Sequence, residues 1–392
     1  MRLCCGHSGN NLRYMQNKEA FLASVRAGLW ERGELVSGEG LAVSGTGVLR
    51  LAEEQSVVGL VAAGAEWFTV NGSRFMIPLT EKLTLLGKCQ LIEQRNEAMN
   101  RFIAELVGQL NKNGIDALLV KGQGVAQCYE RPLWRSAGDI DLLLDDENYN
   151  KAKAFLLAFA EKGVAEDVGK KHLSAQIKGF TIELHGRMPF ALSRRADKVV
   201  DEVVADTLLK VNDERLAVRV WKNGDTEVYL PNADNDVILV FTHFLHHFFI
   251  EGVGLKQICD WCRLLWTDMG ELDKELLGKR LQEMGLMSEW KVFASLAVNT
   301  LGMPQEAMPF YNDSPSYKRK ANRVLRHILK SGNLGHNNDV SYRAKYSVFV
   351  SNMITFFRRL ADFTKLTLVF PVDAPAFFGY YFFKKLKIAK IA

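Results

Sequence analysis

The stretch Asp139-Ile140-Asp141-Leu142-Leu143-Leu144 restricts the fold more than any other part of the chain. Successive side chains of a strand point to opposite faces, so Asp139 and Asp141 share one face and Ile140 and Leu142 enter a core from the other. Two neighbouring carboxylates repel, and a divalent cation is the usual reason for keeping them together. The stretch follows an apolar run, Leu118-Leu119-Val120, which ends in Lys121-Gly122-Gln123-Gly124, and a turn-rich segment with Pro132, Arg135 and Gly138. Downstream, Phe180-Thr181-Ile182-Glu183-Leu184-His185 alternates in the same way, with Thr181, Glu183 and His185 on one face. If the two strands pair, three carboxylates meet. Such a cluster can hold two Mg²⁺ ions through oxygen ligands and suits in-line phosphoryl or nucleotidyl transfer.

Each of these residues also has a plainer reading. Asp139 and Asp141 could be a solvated strand end, and Glu183 an exposed strand acid. Lys121 directly precedes the glycine bend, which favours contact with a triphosphate over a solvated strand end. Arg135 offers a fork that fits either a phosphate or one of the two aspartates. His185 shares the Glu183 face and serves either a ligand or the fold. Cys259-x-x-Cys262 has no second pair and sits in a helical pattern, so buried thiols are expected in place of a zinc site. His243, His246 and His247 lack the HExxH spacing and read as part of an aromatic helix beside the cleft.

Around this core the chain is mostly helical in pattern. Residues 1–17 are polar and read as disordered; helical periods follow over 19–30, 57–68 and 79–113, with a loop or short strands over 33–48. Asn113-Gly114 ends the long helix. A short helix is expected from Gln123, and Asp145 or Asp146 caps the next one. Asn223-Gly224 joins two short strands as a hairpin. After Pro231 five helices are expected, then a polar linker over 332–339 and an aromatic and basic tail. At 392 residues the chain allows two or three domains, or one core with helical extensions. The division expected is a disordered 1–17, a mostly helical 18–104, a core over 105–230 and a helical 231–392.

A net charge of +5 suits a polyanionic ligand without demanding nucleic acid. No dense basic and aromatic stripe marks the core, which argues against extended nucleic acid. Six sparse cysteines fit reduced thiols in a cytoplasmic protein. No stretch reaches the roughly 18 clean apolar residues of a membrane span.

Gly followed by a spacer and Asp-x-Asp, with a third acid on a later strand, resembles the DNA polymerase β-like nucleotidyltransferase superfamily. The fuller set, Lys121-Gly122, Tyr129, Pro132, Arg135, Asp139-Ile-Asp141-Leu and Glu183-Leu-His185, is similar to the bacterial uncharacterised nucleotidyltransferase family over roughly residues 80–265. The resemblance implies an α+β fold with a polymerase β-like core, a small mixed sheet flanked by helices. It implies Asp139, Asp141 and Glu183 as metal-binding and catalytic residues with two Mg²⁺ ions. An NTP would lie along Lys121, Gly122, Gln123, Gly124, Arg135 and His185. It also implies a histidine of the 243–247 group and an acid near Asp260 at the nucleotide or acceptor. Two departures stand out: the bend reads Gly-Gln-Gly instead of Gly-Ser or Gly-Gly, and the spacer to Asp139 is longer.

The leading expectation is therefore an Mg²⁺-dependent enzyme that moves an NMP from an NTP to a hydroxyl or phosphate acceptor and releases pyrophosphate. The alternatives are a nucleotide-binding protein without transfer, favoured by the missing serine after Gly122, and a membrane-peripheral accessory of polysaccharide assembly. The last rests only on the basic and aromatic tail after Phe370, which could lie on an anionic surface. Neither the acceptor, the base nor the oligomeric state is written in the sequence.

Overall fold

The alternating segments pair into one seven-stranded sheet, and the helical-period segments cover its two faces. The computed structural model describes residues 5–31, 45–70, 78–161, 163–212, 218–338 and 341–380. Four helices come first: α1 (Cys5–Trp30), α2 (Gly45–Glu54), α3 (Val58–Val70) and α4 (Leu79–Lys112). Next come β1 (Leu118–Val120), α5 (Gly122–Ala126), β2 (Ile140–Leu143), α6 (Asp146–Leu157), β3 (Ala165–Asp167), β4 (His172–Ile177), β5 (Phe180–His185), α7 (Arg194–Asn212), β6 (Arg219–Asn223) and β7 (Thr226–Leu230). The helical remainder is α8 (Ala233–Ile250), α9 (Leu255–Thr267), α10 (Lys274–Met284), α11 (Met287–Leu301), α12 (Pro315–Ser331), α13 (Tyr342–Lys345) and α14 (Val348–Thr367). Helices largely flank a mixed sheet and seldom alternate with its strands, which is the α+β class.

The strand order is β3-β4-β5-β2-β1-β7-β6. β2 is central, antiparallel to β1 and parallel to β5. One face carries Ile140, Leu142, Ile182 and Leu184 against Met99, Phe102, Ile103 and Leu106 of α4 and Tyr149 and Ala152 of α6. The other face turns Leu118, Val120 and Leu143 toward the helical body. Local signals set several boundaries. Asp145 caps α6 by accepting from the Asn148 amide at 2.7 Å. β6 and β7 close around a two-residue turn whose Gly224 has φ 61°, the conformation a tight hairpin requires.

Several expectations change. α1 begins at Cys5, inside the stretch read as disordered, and residues 1–4 lie outside the described ones. Extending a helix already held by its buried residues Phe21, Leu22, Val25 and Leu29 costs far less than starting one. Residues 45–48 open α2, while 32–44 lie outside the described residues. The boundary expected after residue 104 falls within α4, which runs unbroken because its apolar period does. The N-terminal and C-terminal helices share one core. Trp30 Nε1 donates to the Leu301 carbonyl at 2.6 Å and Arg263 to the Leu29 carbonyl at 3.1 Å. The short exposed strand β3 has no apolar alternation to announce it. Phe370 and Phe377 are buried against Phe249, with ring centroids 5.8 and 4.8 Å away. Lys384, Lys385, Lys387 and Lys390 of the tail lie outside the described residues. Among the described residues no helix is long and apolar enough to cross a membrane.

α1 and α3 touch backbone to backbone. A Cβ built on Gly64 would stand 2.0 Å from the Ser24 carbonyl oxygen, and one on Gly28 equally close to that of Leu60. Neither neighbour is a flexible side chain that can yield. Gly64→Ala is therefore expected to destabilise the protein by about 1–3 kcal/mol or more, read as a lower denaturation midpoint. An unchanged midpoint would show that the two helices can separate freely.

Candidate active site

β5 runs parallel to β2 with Glu183 opposite Asp141, so both carboxylates leave the same face of the sheet. Asp139 precedes β2 by one residue and belongs to the loop leading into it. One oxygen from each of Asp139, Asp141 and Glu183 lies within 4.8 Å of the other two. Asp141 is 2 % exposed, whereas Asp139 and Glu183 are half-buried. The three residues thus line one side of a cavity of about 570 Å³, a size that suits a small-molecule ligand.

The glycine bend brings a cation to these acids. Val120 pairs with Asp141 across β1 and β2, so Lys121 emerges beside it and its Nζ stands 2.8 Å from Asp141 Oδ1. Lys121 turns at φ 58° and Gly122 at φ 39°. A lysine in that region is strained and persists only when its surroundings hold it. Lys121 makes an ion pair with that carboxylate. Gly122 lines the cavity. Gln123 does not: it turns into α4, donating to Asn100 Oδ1 at 2.9 Å and Asn96 Oδ1 at 3.3 Å. Gly124 packs near Leu230, whose Cδ2 would lie 3.0 Å from an added Cβ.

Charges in the cluster do not titrate alike. Repulsion from Asp141, then burial, pushes the Asp139 carboxyl above its ordinary range. Burial pushes Asp141 the same way, but the Lys121 charge and hydrogen bonds from His185 and Lys121 outweigh it and hold that carboxyl well below the range. The hydrogen bond from His172 keeps Glu183 low, against its burial. His185 is buried, which pushes its imidazole down in spite of the Asp141 carboxylate 2.8 Å from its Nε2. A neutral His185 donating from Nε2 to Asp141 satisfies both observations.

Arg135 makes its ion pair with a residue 125 positions away, and with neither of the two aspartates expected. Its Nε and Nη2 donate to the two oxygens of Asp260 at 2.7 and 2.9 Å, a bidentate pair. Tyr129 Oη donates to Asp260 Oδ1 at 2.7 Å. Burial opposes both charges, yet their attraction outweighs it, holding Arg135 up and Asp260 down. Arg135 Nη1 is buried with no partner among the described residues.

Sequence reasoning missed Lys256 and His172. Lys256 lies one helical turn before Asp260 on α9 and lines the same cavity as the acids. Burial, then repulsion from Arg135, depresses its ammonium to about 8. Its i,i+4 spacing to Asp260 was the available signal. His172 Nε2 lies 3.2 Å from Glu183 Oε2. The alternation of His172, Ser174 and Gln176 in β4 put it on the acids' face. His243 and His247 also line the cavity, with their Nε2 atoms 3.1 Å apart. Cys259 and Cys262 are fully buried free thiols that burial pushes up, so neither is reactive.

Oxygen-rich donors suit a hard divalent cation. The Lys121 ammonium already shows that Asp141 takes a positive partner. Arg135 and Lys256 both line this cavity, and their positive charges suit an anion. The site is a group of acids that could hold a metal ion, set on one face of a mixed sheet beside lysine and arginine side chains. The chain belongs to the uncharacterised nucleotidyltransferase family, whose match spans residues 45–302 and so takes in the whole sheet and α2 to α11. Membership supports a nucleotidyltransferase activity in general. Neither the curated proteins nor the solved structures yield a match to this chain.

Proposed function

We propose that the protein is an Mg²⁺-dependent nucleotidyltransferase with a polymerase β-like core that moves an NMP from an NTP to a hydroxyl or phosphate acceptor. The reading is carried by the convergence of Asp139, Asp141 and Glu183 within 4.8 Å beside the Lys121-Gly122 bend. Those three residues would hold Mg²⁺, which when bound neutralises charge developing on the transferred phosphoryl oxygens. Lys121, Lys256 and Arg135 Nη1 supply positive charge or donors for the triphosphate. Glu183 takes the acceptor's proton as its oxygen bonds to the α-phosphorus and the bond to the β-phosphate breaks, releasing pyrophosphate. Val240, Phe244 and His243 of α8 wall the cavity and limit water. Catalysis rests on position and charge, not on a covalent intermediate.

Pyrophosphate release from an NTP with Mg²⁺, beside calorimetry with the same nucleotide, tests this. Release that needs Mg²⁺ supports transfer. Binding without release supports the second reading, nucleotide binding alone, which draws on Lys121 already neutralising Asp141 and on Gln123 turning away. ADP formation in its place would mean γ-phosphoryl transfer and contradict both.

The Lys256 ammonium gives a pH prediction. Its pKa is depressed to about 8, so the group is charged below that pH and neutral above it. NTP affinity is expected to fall as pH rises through about 8. A charged hydrogen bond contributes about 1.5–3 kcal/mol, so Lys256→Met should cost roughly tenfold or more at pH 7 and remove that fall. Dissociation constants for a non-hydrolysable NTP at pH 7 and pH 9 check this; an unchanged slope in the variant would exclude Lys256.

A further inference from the structure

Two imidazoles converge on one oxygen of the candidate metal cluster. β4 and β5 are antiparallel with His172 directly opposite His185, so both rings rise from one face, 4.9 Å apart between centroids. His172 Nε2 is 3.2 Å from Glu183 Oε2, and His185 Nε2 is 3.6 Å from that same oxygen. His185 Nε2 is also 2.8 Å from Asp141 Oδ1. One donor atom from each of His172, Glu183 and His185 lies within 4.8 Å of the others. Donors about 2.1 Å from one ion stand roughly 3.0–3.4 Å from each other; the His172–Glu183 separation lies in that range, and the His185–Glu183 separation of 3.6 Å is within a small side-chain shift of it. His185 Nε2 hydrogen-bonds Asp141, yet it also stands close to the oxygen that His172 Nε2 engages, so two imidazole nitrogens and two carboxylates border one small space.

We propose that the cluster has two unlike cation positions: an oxygen-only one at Asp139, Asp141 and Glu183, and a mixed one at His172, His185 and Glu183, with Asp141 at its edge. The mixed position selects a transition metal of the Mn²⁺, Co²⁺ or Zn²⁺ class. Imidazole nitrogen suits such ions, whereas Mg²⁺ takes oxygen donors and sheds water reluctantly. Glu183 and Asp141 reach both positions, so occupancy of one reshapes the other. When the mixed position fills, His185 binds through the Nε2 lone pair and carries its proton on Nδ1. Its hydrogen bond to Asp141 is then given up, and Asp141 Oδ1 turns from proton acceptor to metal neighbour. The inference deepens the proposed function and rests on that reading for its oxygen-only half.

Pulsed electron paramagnetic resonance of the full chain with Mn²⁺ as the sole metal reads this directly, with no nucleotide or acceptor. Wild type is expected to show modulation from imidazole ¹⁴N. His172→Gln should weaken that Mn²⁺ by more than the roughly 10–100-fold that loss of an outer partner brings, and halve the nitrogen signal. Asp139→Asn, which leaves both imidazoles intact, should keep the nitrogen signal, so the test does not depend on His172→Gln folding. Zn²⁺ should displace this Mn²⁺, and excess Mg²⁺ should not. Bound Mn²⁺ without nitrogen coupling, alongside intact Mg²⁺-dependent pyrophosphate release, overturns this inference alone. No divalent cation bound without nucleotide overturns this inference, and the proposed function falls with it only if Mg²⁺-dependent pyrophosphate release is absent too.

Discussion

Asp139→Asn is expected to slow pyrophosphate release by at least about 10³-fold while melting at or above the wild-type temperature. Several kcal/mol of charge stabilisation depend on the cation held at Asp139, Asp141 and Glu183, and each 1.36 kcal/mol is tenfold in rate. The stability half follows from repulsion. Asp141 is the largest cause of the raised Asp139 pKa, so ionised Asp139 costs the folded state something without a metal. The sign is definite. A carboxyl raised on folding stabilises the fold while protonated, and that stabilisation is lost as pH rises from the ordinary carboxylate range through the raised pKa. The metal-free wild type should therefore weaken over that window, and Asp139→Asn should lack that component. Mg²⁺ should reverse the loss in wild type alone, by about 2.7 kcal/mol at a hundredfold excess over Kd. Turnover assays and melts with and without Mg²⁺ check both halves. A variant that still turns over, or melts far lower, would contradict this role for Asp139.

The largest expected effect on stability comes from Asp260. Asp260→Ala should cost about 3–5 kcal/mol, because it strands a buried guanidinium. Arg135 is 6 % exposed and its Nη1 has no partner among the described residues, so two more donors would lose theirs. Tyr129 Oη would lose its acceptor as well. The double variant Arg135→Met with Asp260→Leu removes both charges and should recover most of the loss, since an apolar pair of similar volume often equals a buried ion pair. Denaturant titrations of the two variants decide this. A single variant as stable as wild type would mean that water or another acid reaches Arg135.

Much of the site was legible because it is local. Period-two alternation put Asp141 and Glu183 each on one face of its strand, and only their pairing had to be supplied by the fold. The cap at Asp145, the Gly224 turn and the end of α4 near Asn113 are likewise short-range signals. What the sequence hid is long-range. Arg135 and Asp260 are 125 residues apart, and no local pattern couples a loop guanidinium to a helix carboxylate. Gln123 sits in a glycine bend that looks made for phosphate, yet its amide finds Asn96 and Asn100 on α4. Lys121 shows the same competition: a nearby buried carboxylate is a stronger partner than solvent. The shared core of the N-terminal and C-terminal helices was hidden too, because periodicity shows that a helix has an apolar face and not which helix covers it.

The central claim is that Asp139, Asp141 and Glu183 hold the cation on which an NTP is turned over. A structure with Mg²⁺ and an NTP whose α–β bridge cannot be cleaved tests it most directly. The expected result is a cation about 2.0–2.1 Å from oxygens of Asp139 and Asp141 that also touches the α-phosphate, with the triphosphate along Lys121, Lys256 and Arg135. A nucleotide seated elsewhere, or one seated here with Lys121 still on Asp141 and no cation between the acids, would contradict it.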